Sequence, residues 1–268
     1  MFLNAKNGTL TIDNTTMDYI CFGTGTRTLI MLPGLGDSLR SVKGTALPVA
    51  IIYRLFAGDF TVYMFSRKAS LPEGCTTADM AEDLKKAMDL LDIEKADLFG
   101  VSMGGMIAQQ FAIRYPHRLN KLVLAVTSPQ PNPMLEESIQ EWLACVNANN
   151  HTALMESNLR RIYSDSYYRK NKWMVPFLGM LTKPRSYDRF LVQANACLTH
   201  DVFSQLRCIS AETLVIGGQQ DIALGAEPSH RIAAQIPHAS LKMYDRWGHG
   251  VYEEAPDFNK TILDFLLA

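Results

Sequence analysis

The chain has 268 residues, of which 47% are hydrophobic, so it can bury a large core in one or two domains. Its formal net charge is -1 and no run of like charges occurs, which excludes long-range attraction to nucleic acid or to an anionic membrane. We therefore expect neither a nucleic-acid nor a membrane partner.

The first twenty residues are polar and lack the basic start and apolar stretch of a signal peptide. No segment approaches the roughly 20 consecutive apolar residues of a membrane helix. The five cysteines are scattered and include no C-x-x-C pair, a pattern typical of reduced thiols rather than of disulfides or a zinc site. These features predict a cytoplasmic protein without a metal site.

Short apolar runs rich in β-formers alternate with helical patterns at both ends of the chain. The later runs are almost continuously hydrophobic, as expected for strands covered on both faces. This alternation predicts βαβ units and an α/β fold with a mostly parallel sheet. The predicted strands are residues 17–22, 28–32, 61–65, 98–101, 122–126, 213–216 and 241–244.

Helix signals lie between these runs. Residues 77–91 carry apolar side chains at helical spacing. Thr76, just before this range, and Asp79, within it, together resemble a capping box. The helix after residue 101 has to end by Tyr115, because Pro116 follows.

The middle of the chain is different, because residues 130–207 contain no clear strand pattern. We predict a helical insertion over 130–207 that splits an α/β core formed by residues 1–129 and 208–268. The predicted helices of the insertion are residues 135–146, 152–163, 172–181 and 187–198.

The insertion is rich in methionine and aromatic residues. We expect most of them to form its core and a few to line an apolar pocket, which favours an uncharged or apolar substrate group. These residues are Met134, Trp142, Met155, Tyr163, Trp173, Met174, Phe177 and Met180.

The sequence Gly100-Val101-Ser102-Met103-Gly104 joins a predicted strand to a predicted helix. A serine on such a strained turn holds its hydroxyl clear of the sheet, and the glycines allow close backbone approach. The helix start adds free N–H groups that favour an oxyanion. We therefore predict that Ser102 is a nucleophile. Glycines that merely permit tight packing, as in nucleotide-binding folds, are the alternative, but no G-x-G-x-x-G pattern occurs.

A second turn, Pro-Gly-Leu-Gly-Asp at residues 33–37, follows the predicted strand one βα unit before the serine strand. We expect it to lie beside Ser102, so that the backbone N–H groups of Leu35 and Met103 form an oxyanion hole. The alternative is an ordinary glycine-rich loop.

Six histidines are candidates for the base. His249 follows the last predicted strand in a short loop between two glycines, which can direct an imidazole towards the edge of the sheet. We predict His249 as the base, with hydrogen bonding within the loop as the alternative. The other histidines lie near helix ends, in a polar connection or beside a predicted surface helix: His117, His151, His200, His230 and His238.

The acid should lie between the serine and the histidine in the chain. Asp221 follows the strand predicted over 213–216, whereas the loop over 126–130 offers no carboxylate. We therefore predict that Asp221 holds the tautomer of the imidazole and stabilises the imidazolium. A local Asx-turn is the alternative role.

Residues 32–37, 100–110, 217–221 and 248–258 together resemble lid-bearing α/β-hydrolases, above all enol-lactonases, cofactor-free haloperoxidase-type esterases and proline-iminopeptidase-like enzymes. The resemblance implies an eight-stranded, mostly parallel sheet with helices on both faces and a lid over 130–207. It also implies acyl transfer to Ser102 and hydrolysis by water that His249 activates, with no metal or organic cofactor.

Two positions depart from the family pattern. Pro33-Gly34 stands where many relatives have His-Gly, and residues 66–68 (Ser-Arg-Lys) replace Asp-x-Arg-Gly. The serine at position 102 also argues against haloalkane dehalogenase or epoxide hydrolase chemistry, which resembling families carry out with a carboxylate.

The leading hypothesis is a hydrolase of a small carboxylic ester, lactone or thioester, acting as a monomer or homodimer on a small-molecule substrate. A second hypothesis uses the same three residues for C–C or C–O cleavage or elimination on an oxo-acid. A third, from another class, is a ligand-binding receptor with vestigial hydrolysis.

Overall fold

One mixed sheet of eight strands forms the centre of the molecule in a computed structural model that describes residues 2–268. The strands follow the spatial order β1-β2-β4-β3-β5-β6-β7-β8. The pairs β1–β2 and β2–β4 are antiparallel, and every other pair is parallel. The strands are β1 (Lys6–Ile12), β2 (Thr15–Phe22), β3 (Arg27–Leu32), β4 (Phe60–Lys68), β5 (Ala96–Val101), β6 (Leu119–Ala125), β7 (Glu212–Gly218) and β8 (Ala239–Tyr244).

Helices cover both faces of this sheet. A core on one face includes residues of α2, α3 and α9, and a core on the other includes residues of α1 and α11. The fold is therefore the predicted α/β class with an eight-stranded, mostly parallel sheet. The α-helices among the described residues are α1 (Ala46–Ile52), α2 (Thr77–Leu90), α3 (Met103–Arg114), α4 (Pro133–Asn147), α5 (His151–Ile162), α6 (Asp165–Asn171), α7 (Val175–Leu181), α8 (Asp188–Leu198), α9 (Glu227–Gln235), α10 (Val251–Glu254) and α11 (Phe258–Leu267).

The predicted strands are all present, with shifted ends. β6 stops at Ala125 because Val126 has a φ of 42°, which a strand does not accommodate, so the strand predicted to residue 126 was one residue too long. The individual runs did not indicate β1, an edge strand in which only Ile12 is buried. Its weak hydrophobic pattern has a simple cause, since a strand with one neighbour and one exposed face needs few apolar residues.

Local sequence signals predicted the start of α2 and the end of α3 correctly. The Thr76 hydroxyl accepts a hydrogen bond from the Asp79 N–H, and the Asp79 carboxylate accepts one from the Thr76 N–H, so the predicted capping box is confirmed. Helix α3 ends at Arg114, in agreement with the stop expected before Pro116.

The chain between β6 and β7, all of it described, forms the five helices α4–α8 and no strand. Trp142 is buried, but Met134, Trp173, Phe177 and Met180 are exposed, so the expectation that most of the eight aromatic and methionine residues form a core is wrong for these four. The last three lie close together. They lie at positions i, i+4 and i+7, on the outer face of α7 and the turn before it.

No helix among residues 2–268 is both long and apolar enough to cross a membrane.

Helix α3 approaches β3 closely near the edge of the sheet. A Cβ atom at Gly104 would lie 2.1 Å from the Leu32 carbonyl oxygen and 2.7 Å from the Pro33 carbonyl oxygen. Both neighbours are backbone atoms, which cannot move as a side chain end can. Helix α3 therefore reaches its position over the sheet only with glycine at residue 104.

We expect Gly104→Ala to lower the free energy of unfolding by about 1–3 kcal/mol, because the added methyl group forces α3 away from β3. Urea denaturation followed by circular dichroism measures the change. Gly58→Ala is the matched control, since a Cβ at Gly58 meets nothing within 4 Å. Equal losses in the two variants would contradict the steric explanation.

His200 joins the end of the helical segment to the core of the sheet domain. Its side chain is buried, and Nδ1 lies 2.8 Å from the Thr77 hydroxyl at the start of α2. Burial lowers the pKa of His200 to about 3, because the imidazolium would lose its hydration there.

This shift has a definite sign for stability. The unfolded chain binds a proton at His200 below about pH 6.5, whereas the folded chain stays neutral down to about pH 3. Stability is therefore lost as the pH falls through this window, by up to ~1.4 kcal/mol per pH unit.

In His200→Gln, we expect the free energy of unfolding to depend less on pH between 6.5 and 4.5 than in the unmodified protein. Urea titrations at several pH values measure this slope. The same substitution at His117, which is exposed, controls for the loss of an imidazole. An unchanged slope in His200→Gln would refute this account.

Candidate active site

Ser102 occupies the turn between β5 and α3. Its φ of 54° and ψ of −121° lie in a region that residues with a side chain rarely adopt. Two hydrogen bonds to residues at and just after the end of β6 hold this conformation: the Ser102 N–H donates to the Ala125 carbonyl at 2.9 Å, and the Thr127 side-chain hydroxyl donates to the Ser102 carbonyl at 2.7 Å. The end of β6 thus fixes the serine.

His249 lies in the loop between β8 and α10 and is buried. Its Nε2 atom is 3.0 Å from the Ser102 hydroxyl oxygen, a hydrogen-bonding distance. The next residue anchors the loop from the other side, since the Gly250 N–H donates to the Ile162 carbonyl at the end of α5 at 2.5 Å.

Asp221 lies in the loop after β7, with its carboxylate almost fully buried. Oδ2 is 2.8 Å from Nδ1 of His249. Oδ1 accepts hydrogen bonds from the N–H groups of Ala223 and Leu224, at 2.8 and 2.9 Å. These local bonds are the Asx-turn considered as the alternative role, and they orient the carboxylate without using the oxygen that faces His249.

The three side chains therefore form a continuous hydrogen-bonded line from Asp221 through His249 to Ser102. A carboxylate at Nδ1 favours the tautomer that carries its proton there, which leaves Nε2 as an acceptor facing the serine hydroxyl. This arrangement can take a proton from the serine hydroxyl as the oxygen attacks an electrophile.

The turn over residues 33–37 lies beside the serine. A Cβ atom at Gly34 would be 3.4 Å from the Ser102 Cβ. The backbone N–H groups of Leu35 and Met103 donate no hydrogen bond within residues 2–268. Two free donors next to a nucleophile can stabilise a negatively charged oxygen.

Sequence reasoning missed the buried side chains that hold this turn in place. The Asp37 carboxylate accepts hydrogen bonds from the Ser66 hydroxyl at 2.5 Å, the Arg67 N–H at 3.0 Å and the Arg189 guanidinium at 3.1 Å. The Arg67 guanidinium donates to the Pro33 carbonyl at 2.5 Å. Burial lowers the pKa of Arg67, and the nearby Asp37 charge opposes this shift. The departure at residues 66–67 was the available signal, because it placed a hydroxyl and a cation next to the turn.

A cavity of about 430 Å³ opens onto Ser102 and His249. One wall comes from residues at the edge of the sheet, including Leu35 and Val101. Helices α4, α5 and α8 and the residue after α5 form another part of the lining. The lining residues from the segment between β6 and β7 are Trp142, Asn158, Ile162, Tyr163 and Phe190.

The other histidines lie away from this site. His151 is buried at the start of α5, where its ring nitrogens contact the Tyr187 and Thr182 hydroxyls, each at 3.0 Å, and burial lowers its pKa. His117, His230 and His238 are exposed. Within residues 2–268, no group of three or more His, Cys, Asp or Glu side chains is placed to hold a metal ion.

A wider depression of about 550 Å³ lies around the turn after α2, far from Ser102 in the fold. Two cations, Lys95 and Arg118, lie on its wall, and Arg118 is already paired, since it contacts the Asp89 carboxylate at 2.8 Å and the Ile93 and Glu94 carbonyls. No nucleophile with a base lines it. The chemistry available to this protein is therefore concentrated at the cavity beside Ser102.

The chain resembles known proteins over almost its whole length. It is 28% identical over 285 residues to 2-hydroxy-6-oxononadienedioate/2-hydroxy-6-oxononatrienedioate hydrolase 1 from Pseudomonas putida, which covers 99% of this chain and 95% of that protein. It is 27% identical over 199 residues to RutD of Caulobacter vibrioides (strain NA1000 / CB15N), a proposed carbamate hydrolase, covering 73% of this chain and 74% of that one.

The fold has solved counterparts as well. The crystal structure of the enol-lactonase from Burkholderia xenovorans LB400 matches with a TM-score of 0.80 and 20% sequence identity, over 97% of this chain and 100% of that chain. A family model described as the alpha/beta hydrolase fold matches residues 27–256. The protein therefore belongs to the α/β-hydrolase family, as its motifs indicated, and is an enzyme of the hydrolase class.

Proposed function

We propose that the protein is a serine hydrolase that cleaves a small carboxylic ester, lactone or thioester through an acyl-enzyme on Ser102. The observation that carries this proposal is the pair of contacts at His249: Nε2 is 3.0 Å from the Ser102 hydroxyl, and Nδ1 is 2.8 Å from the Asp221 carboxylate. Nucleophile, base and acid thus stand at hydrogen-bonding distance before any substrate arrives.

In the first half of the proposed reaction, the Ser102 oxygen attacks the carbonyl carbon while its proton passes to Nε2 of His249. The N–H groups of Leu35 and Met103 donate to the resulting oxyanion. As the intermediate collapses, the imidazolium returns the proton to the leaving alkoxide or thiolate. In the second half, His249 takes a proton from water, the hydroxide attacks the acyl-enzyme, and the acid leaves as the Ser102 hydroxyl is restored.

Asp221 has an orienting role in this scheme. Its two bonds to backbone N–H groups hold one oxygen, and the other faces Nδ1 of His249. The buried carboxylate also stabilises the positive charge that His249 acquires during attack. This chemistry needs no metal or organic cofactor.

We further propose that residues 130–207 act as a lid over the site, with the α/β core formed by residues 1–129 and 208–268. Supporting this, Trp142, Ile162 and Phe190 contribute apolar surface to the cavity that contains Ser102. An apolar wall excludes water from around the oxyanion and strengthens its hydrogen bonds.

The alternative is C–C or C–O bond cleavage or elimination on an oxo-acid by the same three residues, and the name of the Pseudomonas putida relative favours it. Such substrates carry carboxylates, which arginine or lysine side chains usually bind. No arginine or lysine lines the cavity, and Glu253 does. We therefore place ester, lactone or thioester hydrolysis first. A substrate panel that includes simple esters and oxo-acids distinguishes the two.

We propose a small-molecule substrate, with no nucleic acid or membrane partner, for a monomer or homodimer in the cytoplasm. The thiols support a reducing compartment, since all five cysteines are free.

We expect Ser102→Ala to lower kcat for an activated ester such as p-nitrophenyl acetate by about 10⁴–10⁶, because no acyl-enzyme can form. A fluorophosphonate probe should label the unmodified protein at Ser102 and leave the variant unlabelled, as read by mass spectrometry. Ser70→Ala, at an exposed serine, is the control. Full ester hydrolysis by Ser102→Ala would refute the proposal. Tight ligand binding without turnover in either protein would instead support a receptor.

We expect Asp221→Asn to lower kcat by about 10⁴, because an amide at this position can donate to Nδ1 and so favour the tautomer with the proton on Nε2. Steady-state kinetics on the same ester measure the loss. Asp245→Asn changes an exposed aspartate in the loop after β8 and is expected to retain activity. A kcat within tenfold of the unmodified value in Asp221→Asn would exclude the assigned role.

A further inference from the structure

One part of the cavity wall combines a carboxylate with three phenol side chains. Glu253 lies in α10, four residues after His249 along the chain. Tyr252 is its neighbour in α10, Tyr53 follows α1, and Tyr163 follows α5. All four side chains line the cavity that contains Ser102 and His249.

Glu253 has one polar partner in the protein. The Tyr163 hydroxyl donates to its Oε2 atom at 2.6 Å, and the Tyr163 ring is held by stacking on Tyr167, with ring centroids 4.3 Å apart. Within residues 2–268, no lysine, arginine or histidine nitrogen lies within 4.0 Å of the Glu253 carboxylate. Oε1 therefore retains its full capacity to accept hydrogen bonds.

Glu253 lines the cavity and is also exposed to solvent. Partial desolvation raises the pKa of Glu253, the Tyr163 hydrogen bond opposes that shift, and the charge of Glu254 adds to it. The Tyr53 and Tyr252 hydroxyls have no hydrogen-bond partner within the described part of the chain.

Asp37 shows how different this is from a structural carboxylate. It faces the same cavity, but hydrogen bonds from the Ser66 hydroxyl, the Arg67 backbone N–H and the Arg189 guanidinium satisfy its oxygens, and the Arg67 guanidinium lies 3.7 Å away. Glu253 has no such support, although it lines the same cavity as Ser102 and His249. A carboxylate next to several aromatic rings is the combination that binds organic cations, because the ring faces and the carboxylate both attract positive charge.

We propose that this end of the cavity binds an alkylammonium group of the substrate, so that the preferred substrate is a cationic ester or thioester. The proposal rests on the function proposed for Ser102. This proposal replaces the expectation of an uncharged substrate. That expectation considered only residues 130–207, and Glu253, Tyr252 and Tyr53 lie outside that segment. The ammonium group contacts Glu253 while the ester carbonyl lies at the Leu35 and Met103 N–H groups.

Two esters of equal shape and different charge test this proposal. They are the p-nitrophenyl esters of 4-(trimethylammonio)butanoate and 5,5-dimethylhexanoate. The first has a positively charged quaternary nitrogen where the second has a neutral quaternary carbon. We expect the unmodified enzyme to show a kcat/KM at least about tenfold higher for the cationic ester. In Glu253→Gln, which keeps the shape of the side chain, that ratio should fall about tenfold or more.

Glu254→Gln is the matched control. Glu254 precedes the end of the same helix, but its carboxylate accepts hydrogen bonds from the Ser164 N–H and hydroxyl and does not line the cavity. The charge change is identical, so a long-range electrostatic effect would appear in both variants. The proposal requires the ratio to fall in Glu253→Gln alone. A ratio near one in the unmodified enzyme, or equal ratios in all three proteins, overturns it.

A binding measurement separates this proposal from the proposed catalysis. Calorimetric titration of Ser102→Ala with choline and with its neutral isostere 3,3-dimethyl-1-butanol needs no turnover. We expect choline to bind at least about tenfold more tightly, and the difference to disappear when Glu253→Gln is added. Cation binding without hydrolysis of any ester would refute only the proposed function. Hydrolysis of both esters without a charge preference, and equal binding of the two alcohols, would refute only the cation site.

Discussion

The strained backbone at Ser102 is the constraint on which the site depends. A side-chain-bearing residue at a φ of 54° and ψ of −121° costs on the order of 1–3 kcal/mol, and the surrounding structure has to supply that energy. It does so through the hydrogen bonds from the end of β6 and through the close approach of α3 to β3 at Gly104. The serine hydroxyl is thereby set above the sheet edge, where the loops after β7 and β8 bring the carboxylate and the imidazole.

The turn over residues 33–37 is held by a different kind of interaction. The Leu35 N–H donates no hydrogen bond within residues 2–268, so it does not help to hold the turn. Asp37 compensates by joining the turn to β4 and, through Arg189, to α8. A buried ion pair of this type adds little net stability, but it specifies one geometry, because any displacement would leave a buried charge without a partner. The candidate site therefore combines backbone strain at Ser102 with charge pairing at the turn beside it.

Much of the fold could be predicted from sequence because the central strands are covered on both faces. All six residues of β5 are buried, and its apolar run over residues 98–101 is visible without an alignment. Strand β1 escaped detection for the opposite reason, since its side chains are mostly exposed. The exposure of Trp173 and Phe177 could not be predicted either, because a helical spacing of apolar residues does not say whether the apolar face meets protein or solvent.

The candidate site was likewise predictable from the sequence only in part. Ser102, Asp221 and His249 follow strands, so sequence order alone placed them near one edge of the sheet. The support from Asp37, Arg67 and Arg189 joins residues as far as 152 positions apart, and no local pattern reveals such a partnership. Glu253 was overlooked because a glutamate in a short helix is usually a solvated surface residue. Glu253 is exposed in the structure as well, and only the meeting of three segments around one cavity makes it part of the lining.

The hydrogen bond from Gly250 to the Ile162 carbonyl has a consequence for how substrates enter. It connects the loop that carries the imidazole to the last turn of α5, and the contacts of Tyr163 with Glu253 and of Ser164 with Glu254 reinforce that connection. A hinged movement that lifted α5 as a rigid unit would break all of these bonds and would pull directly on His249. The part of the cavity wall that α5 forms is thus tethered beside His249, and an opening that preserves the contacts of His249 must form elsewhere along the rim of the cavity.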